Sequence, residues 1–201
     1  MSILALELST GRGGLAWLAG DVEITREWRN DRQNSGEFFH NLEQVTRDFG
    51  LAKTIIVGLG PGSYAGTRIA ISAAVGLEEA SKAELIGYPS ICTMSVPVDD
   101  YTIVGDARRQ SFFLAAVRNR RVIGDFALHD EAGLRAELDK LPAGLPVFSS
   151  DRLMQFSQVE TAAPSALMLA RLAREAGRPF VRPPLQPIYL RDPHVTVPKT
   201  R

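Results

Sequence analysis

The sequence is poor in cysteine and histidine, and it has no long hydrophobic run. One of its 201 residues is cysteine, Cys92, so an internal disulfide is excluded and a reducing cytoplasm is the expected compartment. The apolar runs are too short to cross a bilayer. The opening residues, MSILALELST, have no basic lead and no small-residue cleavage site, and they are typical of a strand. We therefore expect a cytoplasmic protein without a membrane segment.

The three histidines, His40, His129 and His194, are far apart in the sequence. No H-x-x-x-H or H-E-x-x-H spacing places two metal ligands on one helix face. No G-x-S-x-G or S-x-x-K motif occurs, and Cys92 has no helix-spaced histidine partner. The sequence therefore predicts no metal site and gives no support to nucleophilic catalysis.

Neither sign of charge is in excess, because 23 Lys and Arg side chains balance 23 Asp and Glu side chains. A protein that binds nucleic acid mainly by bulk electrostatics carries a basic excess. Any contact with RNA is therefore expected to be minor, or shared with a partner.

The hydrophobic pattern of the chain predicts the same order of strands and helices in its two halves. The first half has strands beginning at Ile3, Leu15, Val22 and Thr54, with one helix opened by an Asn34/Glu37 capping box and one after Gly66. The second half has strands at Tyr101, Phe112, Val122 and Pro146, and helices at Glu131 and Ser165. Both halves have the order β-β-β-α-β-α, which predicts an α/β protein of two stacked units, residues 1–100 and 101–201. The proline-rich tail after residue 181 either adds an edge strand or packs back on a unit.

Strand, Gly/Pro turn and helix follow one another in Thr54–Lys82, and this arrangement directs backbone N–H groups at a ligand or allows a close backbone approach. A phosphate-binding P-loop is excluded because Gly66 is followed by Thr67 and Arg68 rather than by Lys. The G-x-G-x-x-A spacing from Gly60 fits a dinucleotide fingerprint, but no acid ends the next strand. A tight turn for close packing, and a contact with a phosphate or a partner, remain as alternatives.

Small residues recur every four positions in the helix after this turn, as Ser72, Gly76 and Ala80 on one stripe. A second stripe, Gly66–Ala70–Ala74, has the same spacing. A glycine in the middle of a helix costs about 1 kcal/mol relative to alanine, so we expect something to compensate for Gly76. The stripes indicate either core packing or a close helix-to-helix contact with another subunit.

An acid ends the first strand of each half, Glu7 before Ser9-Thr10 and Asp106 before Ala107. In a duplicated fold the two acids are expected to face each other across the cleft between the units, where a metal–phosphate group would fit. The alternative interpretation is a pair of solvated strand ends.

Four segments resemble the TsaB (YeaZ) family in the same order along the chain. LALELSTGRGGLAW is similar to the family's opening I-L-A-I-D-T-S-T, and VGLGPGSYAGTRIAISAAVGL is similar to its G-R-G-P-G-S-F-T-G-V-R-I-G followed by A-x-G-L. GDARRQSFF is similar to D-A-R-x-x-E-V-Y, and PIYLRD to the terminal P-x-Y-L-R. Glu7 stands where the family usually has Asp, Leu59 where Arg is frequent, and Gln110-Ser111 where an acid is common.

This resemblance implies the actin-like ATPase fold of sugar kinases, which is a pair of stacked ribonuclease H-like units. It also implies a non-catalytic subunit in the synthesis of N6-threonylcarbamoyladenosine in tRNAs that read ANN codons. Such a subunit pairs through its first-unit helices with the catalytic TsaD, and the ATPase TsaE joins the pair. Alone, it is expected to form a homodimer. Members are also described as glycoprotease or peptidase homologues, and the absence of paired histidines opposes that activity here.

The expected partner contact comprises Gly60, Pro61, Gly62, Ser63, Tyr64, Gly66, Arg68, Ser72, Gly76 and Ala80. A degenerate nucleotide cleft would comprise Glu7, Ser9, Thr10 and Asp106. We expect no resident cofactor, although ATP or ADP with Mg²⁺ would enter at the level of the complex. The rival hypothesis is a small ATPase or sugar-kinase-like enzyme that holds Mg-ATP between Glu7 and Asp106, and a peptidase comes third.

Overall fold

The computed structural model of the chain describes residues 1–30 and 35–191, which form two five-stranded sheets. Asn34 of the expected capping box and His194 lie outside these residues. The elements of the first half are β1 (Ser2–Glu7), β2 (Arg12–Ala19), β3 (Val22–Arg29), α1 (Gly36–Phe49), β4 (Thr54–Gly58), α2 (Tyr64–Ser81) and β5 (Glu84–Tyr88), followed by a 3-10 helix at Ser90–Thr93. The elements of the second half are β6 (Tyr101–Asp106), β7 (Phe112–Arg118), β8 (Arg121–His129), α3 (Glu131–Leu138), β9 (Val147–Ser149), β10 (Val159–Thr161) and α4 (Ala166–Leu172).

The two sheets have the same topology. The first has the order β3-β2-β1-β4-β5, and the second, taken in the matching direction, has the order β8-β7-β6-β9-β10. In each sheet three antiparallel strands are followed by two parallel ones, with β1 beside β4 and β6 beside β9. The predicted class, an α/β protein of two repeated units, is confirmed.

The second unit differs from the predicted order at one place. The chain passes from β9 to the three-residue strand β10 without an intervening helix, and α4 follows β10. The sequence of β10, Val159-Glu160-Thr161, is short and only partly buried, so it lacks the alternation that reveals a half-buried strand. The helix that begins after Ser165 is therefore not the counterpart of α2.

Alternate residues of the central strands supply three apolar layers. In β1, Leu4 and Leu6 belong to the layer with α1 and α2, whereas Ile3 and Ala5 belong to the layer that contains α4 and the inner face of the second sheet. In β6, Val104 faces α3. Because both faces of the first sheet are covered at its central strands, β1 and β4 are apolar almost throughout, as the sequence indicated.

The layer between the sheets is completed by α4 and the 3-10 helix. Ser165 caps α4 by accepting a hydrogen bond from the Met168 N–H at 3.2 Å. The buried residues Leu169 and Ala170 of α4 belong to the same apolar cluster as Ile3 and Ile56 of the first sheet. The inner face of the first sheet is therefore covered by a helix from the far end of the chain.

A buried arginine fixes the linker that joins the two units. Arg120, in the turn between β7 and β8, donates to the Asp99 carboxylate at 2.6 Å and to the carbonyls of Met94, Val96 and Val98 at 2.9 to 3.1 Å. The Tyr88 hydroxyl of the first sheet donates to the Arg120 carbonyl at 2.7 Å. The guanidinium therefore supplies the hydrogen bonds of the half-buried Val96 and Val98 carbonyls, whereas the Met94 carbonyl also accepts from the Val96 N–H at 2.9 Å.

Candidate functional site

The Gly/Pro turn after β4 packs directly on the connection between β1 and β2. The Ser63 N–H donates to the Ser9 carbonyl at 2.5 Å, and the Ser63 hydroxyl caps α2 by accepting from the Gly66 N–H at 3.3 Å. A Cβ atom on Gly62 would lie 2.1 Å from the Ser9 carbonyl oxygen, and one on Gly66 would lie 2.1 Å from the Leu8 carbonyl oxygen. No side chain fits at either position, so both glycines permit a close backbone approach.

A cleft of about 210 Å³ lies between this turn and the second unit. Ser9, Thr10 and Asp106 line the cleft as expected, together with Arg108 and Asp151. The Asp106 N–H donates to the Asp151 carboxylate at 2.9 Å, and Asp106 pairs with the Arg108 guanidinium at 3.3 Å. Ser9 is buried, and its side chain lies beside the Glu7 carboxyl group.

Glu7 does not line the cleft, so the expectation that it faces Asp106 is wrong. The side chain is fully buried, and its Oε1 accepts a hydrogen bond from the Ser9 N–H at 2.8 Å. The carboxylate lies against Gly58, where a Cβ would clash with Oε2. Because Glu is one methylene longer than Asp, its carboxylate reaches this internal space, and burial raises its pKa.

The last described residues close one side of the cleft. We call Arg178–Arg191 the strap. Val181 exchanges two backbone hydrogen bonds of 2.9 Å with Gly87, and the Ile188 N–H donates to the Leu59 carbonyl at 2.8 Å. Arg191 then bonds Ser111 of the second unit. The strap thus runs from the edge of the first sheet to the second unit, and it forms no continuous strand.

The cleft is smaller than the usual site for a small molecule or cofactor. Pockets for small molecules and cofactors measure about 300–1,000 Å³, which exceeds the 210 Å³ found here. Pro187 to Arg191 of the strap occupy one wall. No group of three or more His, Cys, Asp or Glu side chains is placed to hold a metal ion in residues 1–30 and 35–191.

The structure separates the two small-residue stripes of α2. Gly66, Ala70 and Ala74 are buried against the first sheet, so Gly66 is not available to a partner. Ser72, Gly76 and Ala80 are exposed on the outer face. A Cβ on Gly76 would meet no heavy atom within 4 Å. Nothing within the described chain therefore requires glycine at this position.

The other residues of the predicted partner contact are also divided between buried and exposed positions. Gly60 and Pro61 are buried beneath the turn, which removes them from any exposed contact. Tyr64 and Arg68 are exposed at the start of α2, where Arg68 lies 5.0 Å from the Tyr64 ring and bonds its hydroxyl. Gly62 is exposed, and Ser63 is half-buried.

The tail packs back on the first unit, which is one of the two alternatives given for it, but the sequence interpretation did not place it in the wall of the cleft and missed Asp151. Asp151 follows β9, which is the parallel neighbour of β6, the strand that ends in Asp106. The carboxyl ends of parallel strands meet at one edge of a sheet. The predicted strands that end near Asp106 and Asp151 could therefore have indicated that these two acids lie together. Tyr189 belongs to the tail that was expected to add an edge strand or to pack back on a unit, and its ring lies 5.5 Å from the Tyr64 ring.

Two solved structures resemble this arrangement over nearly the whole chain. One is described as an uncharacterized protein with similarity to peptidase YeaZ from Pseudomonas aeruginosa; it has a TM-score of 0.73 and 19% identity, with 94% of this chain and 99% of that chain covered. The other is YeaZ from Pseudomonas aeruginosa, with a TM-score of 0.68 and 19% identity over 86% of this chain and 91% of that chain.

The chain has the YeaZ fold. This likeness establishes the fold, and it covers 94% and 86% of this chain. No family model matches the sequence, and no curated protein matches it. In the YeaZ fold described here, no helix within residues 1–30 and 35–191 is long and apolar enough to cross a membrane.

Proposed function

We propose that the chain is a TsaB (YeaZ) family protein that serves as a non-catalytic subunit in the synthesis of N6-threonylcarbamoyladenosine on tRNA. In this role it pairs with a TsaD-like catalytic subunit, and a TsaE-like ATPase supplies the nucleotide chemistry of the complex. Alone, it pairs with a second copy of itself. Contact with tRNA is indirect or minor, in keeping with the zero net charge.

The observation that carries this proposal is the outer face of α2. Gly76 lies in the middle of an 18-residue helix, and no contact within the described chain needs it. An exposed glycine there costs about 1 kcal/mol relative to alanine. A partner helix that approaches closely over Ser72, Gly76 and Ala80 would compensate for that cost, and a stable interface of this kind buries about 2,000 Å² or more.

The acids of the cleft are a second observation in support of an accessory role. Glu7 points away from the cleft and is buried, so only Asp106 of the two strand-end acids faces the space where a ligand would sit. The peptidase description of one neighbour gains no support from the described residues, which contain no group of three metal-ligating side chains.

The test is a matched pair of substitutions in the last turns of two exposed helices. Ala80→Glu places a carboxylate on the proposed contact face of α2, and Ala136→Glu makes the same change on α3 of the second unit. Size-exclusion chromatography with the TsaD-like protein of the same genome is expected to show a complex for the wild type and Ala136→Glu, and none for Ala80→Glu. Equal assembly by both variants would refute the α2 contact.

A small ATPase or sugar-kinase-like enzyme is the second candidate. The observation in its favour is the pair of carboxylates, Asp106 and Asp151, that line the cleft beside Ser9 and Thr10. Calorimetry with ATP and Mg²⁺ on the isolated chain separates the two functions. Micromolar binding that Asp106→Asn abolishes would favour the enzyme over the accessory subunit.

A further inference from the structure

A second concavity lies outside the cleft, between α2 and the strap. Its volume is about 410 Å³. Four residues of α2 and four residues of the strap line it, and they are Tyr64, Arg68, Ile71, Ser72, Leu185, Gln186, Pro187 and Tyr189. We call this concavity the strap groove.

The strap groove has fixed walls. Leu185 is buried in the core that α2 forms with the first sheet. On either side of it, the strap is held by the Val181–Gly87 backbone pair and by the bond from the Ile188 N–H to the Leu59 carbonyl. At the far end the Tyr189 ring packs on the Tyr64 ring. A groove that is already formed binds without a large ordering cost.

The lining combines an apolar surface with one positive charge. Ile71, Leu185 and Pro187 present apolar atoms, and none of the eight lining residues carries a carboxylate. In the part of the chain that the structure describes, the Arg68 guanidinium contacts the Tyr64 hydroxyl and ring, and no acid is paired with it. A guanidinium has five N–H donors, so Arg68 retains donors for a carboxylate.

We propose that the strap groove binds an acidic segment of the partner subunit, with an apolar side chain seated between α2 and the strap and a carboxylate on Arg68. This inference rests on the proposed function. Ser72 lines the groove and also begins the exposed stripe that continues to Gly76 and Ala80. A partner lying along that stripe therefore reaches the groove without crossing any other element. The contact surface is composite, made of the first unit's helix and the C-terminal strap.

The first test uses charge reversal with a matched control. Arg68→Glu reverses the charge in the groove, and Arg26→Glu makes the same change on exposed β3, where Arg26 bonds only the Thr25 carbonyl among the described residues. By calorimetry with the TsaD-like subunit, Arg68→Glu is expected to weaken binding at least about tenfold, with a smaller effect at high salt. Arg26→Glu is expected to match the wild type. Tyr189→Ala is expected to weaken binding while the far-ultraviolet spectrum stays native.

The outcomes separate this inference from the proposed function. If Ala80→Glu abolishes the complex while Arg68→Glu binds as well as Arg26→Glu, the groove inference is overturned and the accessory role stands. If neither variant changes binding, or if the TsaD-like subunit does not bind the wild type, both are overturned. If Arg68→Glu alters only self-association in ultracentrifugation, the occupant is a second copy, which also overturns the inference.

A photo-crosslinking residue in place of the exposed Gln186 tests the chemistry of the occupant. The peptide captured from the TsaD-like subunit is expected to contain Asp or Glu beside an aliphatic or aromatic residue. Capture of a segment without an acid would overturn the assignment to Arg68.

Discussion

Two glycines of α2 are expected to respond in opposite directions to the same substitution. In Gly76→Ala the new methyl group meets no heavy atom within 4 Å, so only helix propensity changes. The isolated chain should gain about 1 kcal/mol of unfolding free energy, which for a chain of this size raises Tm by about 2–4 °C. In Gly66→Ala the methyl group would lie 2.1 Å from the Leu8 carbonyl oxygen.

Backbone atoms at Leu8 cannot rotate away from that methyl group, so the helix must shift. Overpacking of this kind costs about 1–3 kcal/mol or more, which outweighs the propensity gain and lowers Tm by several degrees. Urea unfolding and calorimetry at several protein concentrations measure both effects and separate them from self-association. Destabilisation by Gly76→Ala in the monomer, or tolerance of Gly66→Ala, would refute the assignment of one stripe to the surface and the other to the core.

Three further substitutions or probes test other parts of the structure. Burial raises the pKa of Glu7 above its ordinary 4.5, so its contribution to stability is intact below that pH and is lost as pH rises through the folded-state pKa. In urea unfolding, Glu7→Gln should therefore lose less stability than the wild type as the pH is raised from acid to neutral. Arg120→Met removes the donor of the half-buried Val96 and Val98 carbonyls and should cost about 2 kcal/mol or more. Asp99→Asn, at the exposed end of the same ion pair, should cost under about 1 kcal/mol, and equal costs would contradict the role given to the carbonyls. Burial raises the pKa of the Cys92 thiol to about 12, so iodoacetamide should label it only after unfolding, and mass spectrometry of native protein showing rapid labelling would contradict that burial.

The sequence predicted those elements whose burial leaves a strong pattern. Strands β1 and β4 are covered on both faces and are continuous apolar runs, and α1 places Phe38, Leu42 and Val45 on one stripe. Strand β10 has neither property, because it is three residues long and lies at a sheet edge. Its omission made α4 appear to be the counterpart of α2.

The site was harder to predict because two of its properties depend on tertiary contacts. The spacing of small residues identified both stripes of α2, but only the position of the sheet shows that Gly66 faces inward and Gly76 outward. A strand-end acid was expected to face the cleft, yet Glu7 turns into the space that Gly58 leaves open. Such an orientation depends on a contact between residues far apart in the chain, which no local pattern records.

The position of α4 affects how this chain can be synthesised and divided. The inner face of the first sheet, with Ile3 and Ile56, is covered by a helix that ends at Leu172. A ribosome has therefore made most of the protein before that face can be covered. An expression fragment that stops near residue 100 would keep this face uncovered, so we expect it to be recovered mainly as aggregate, despite having all five strands of its own sheet.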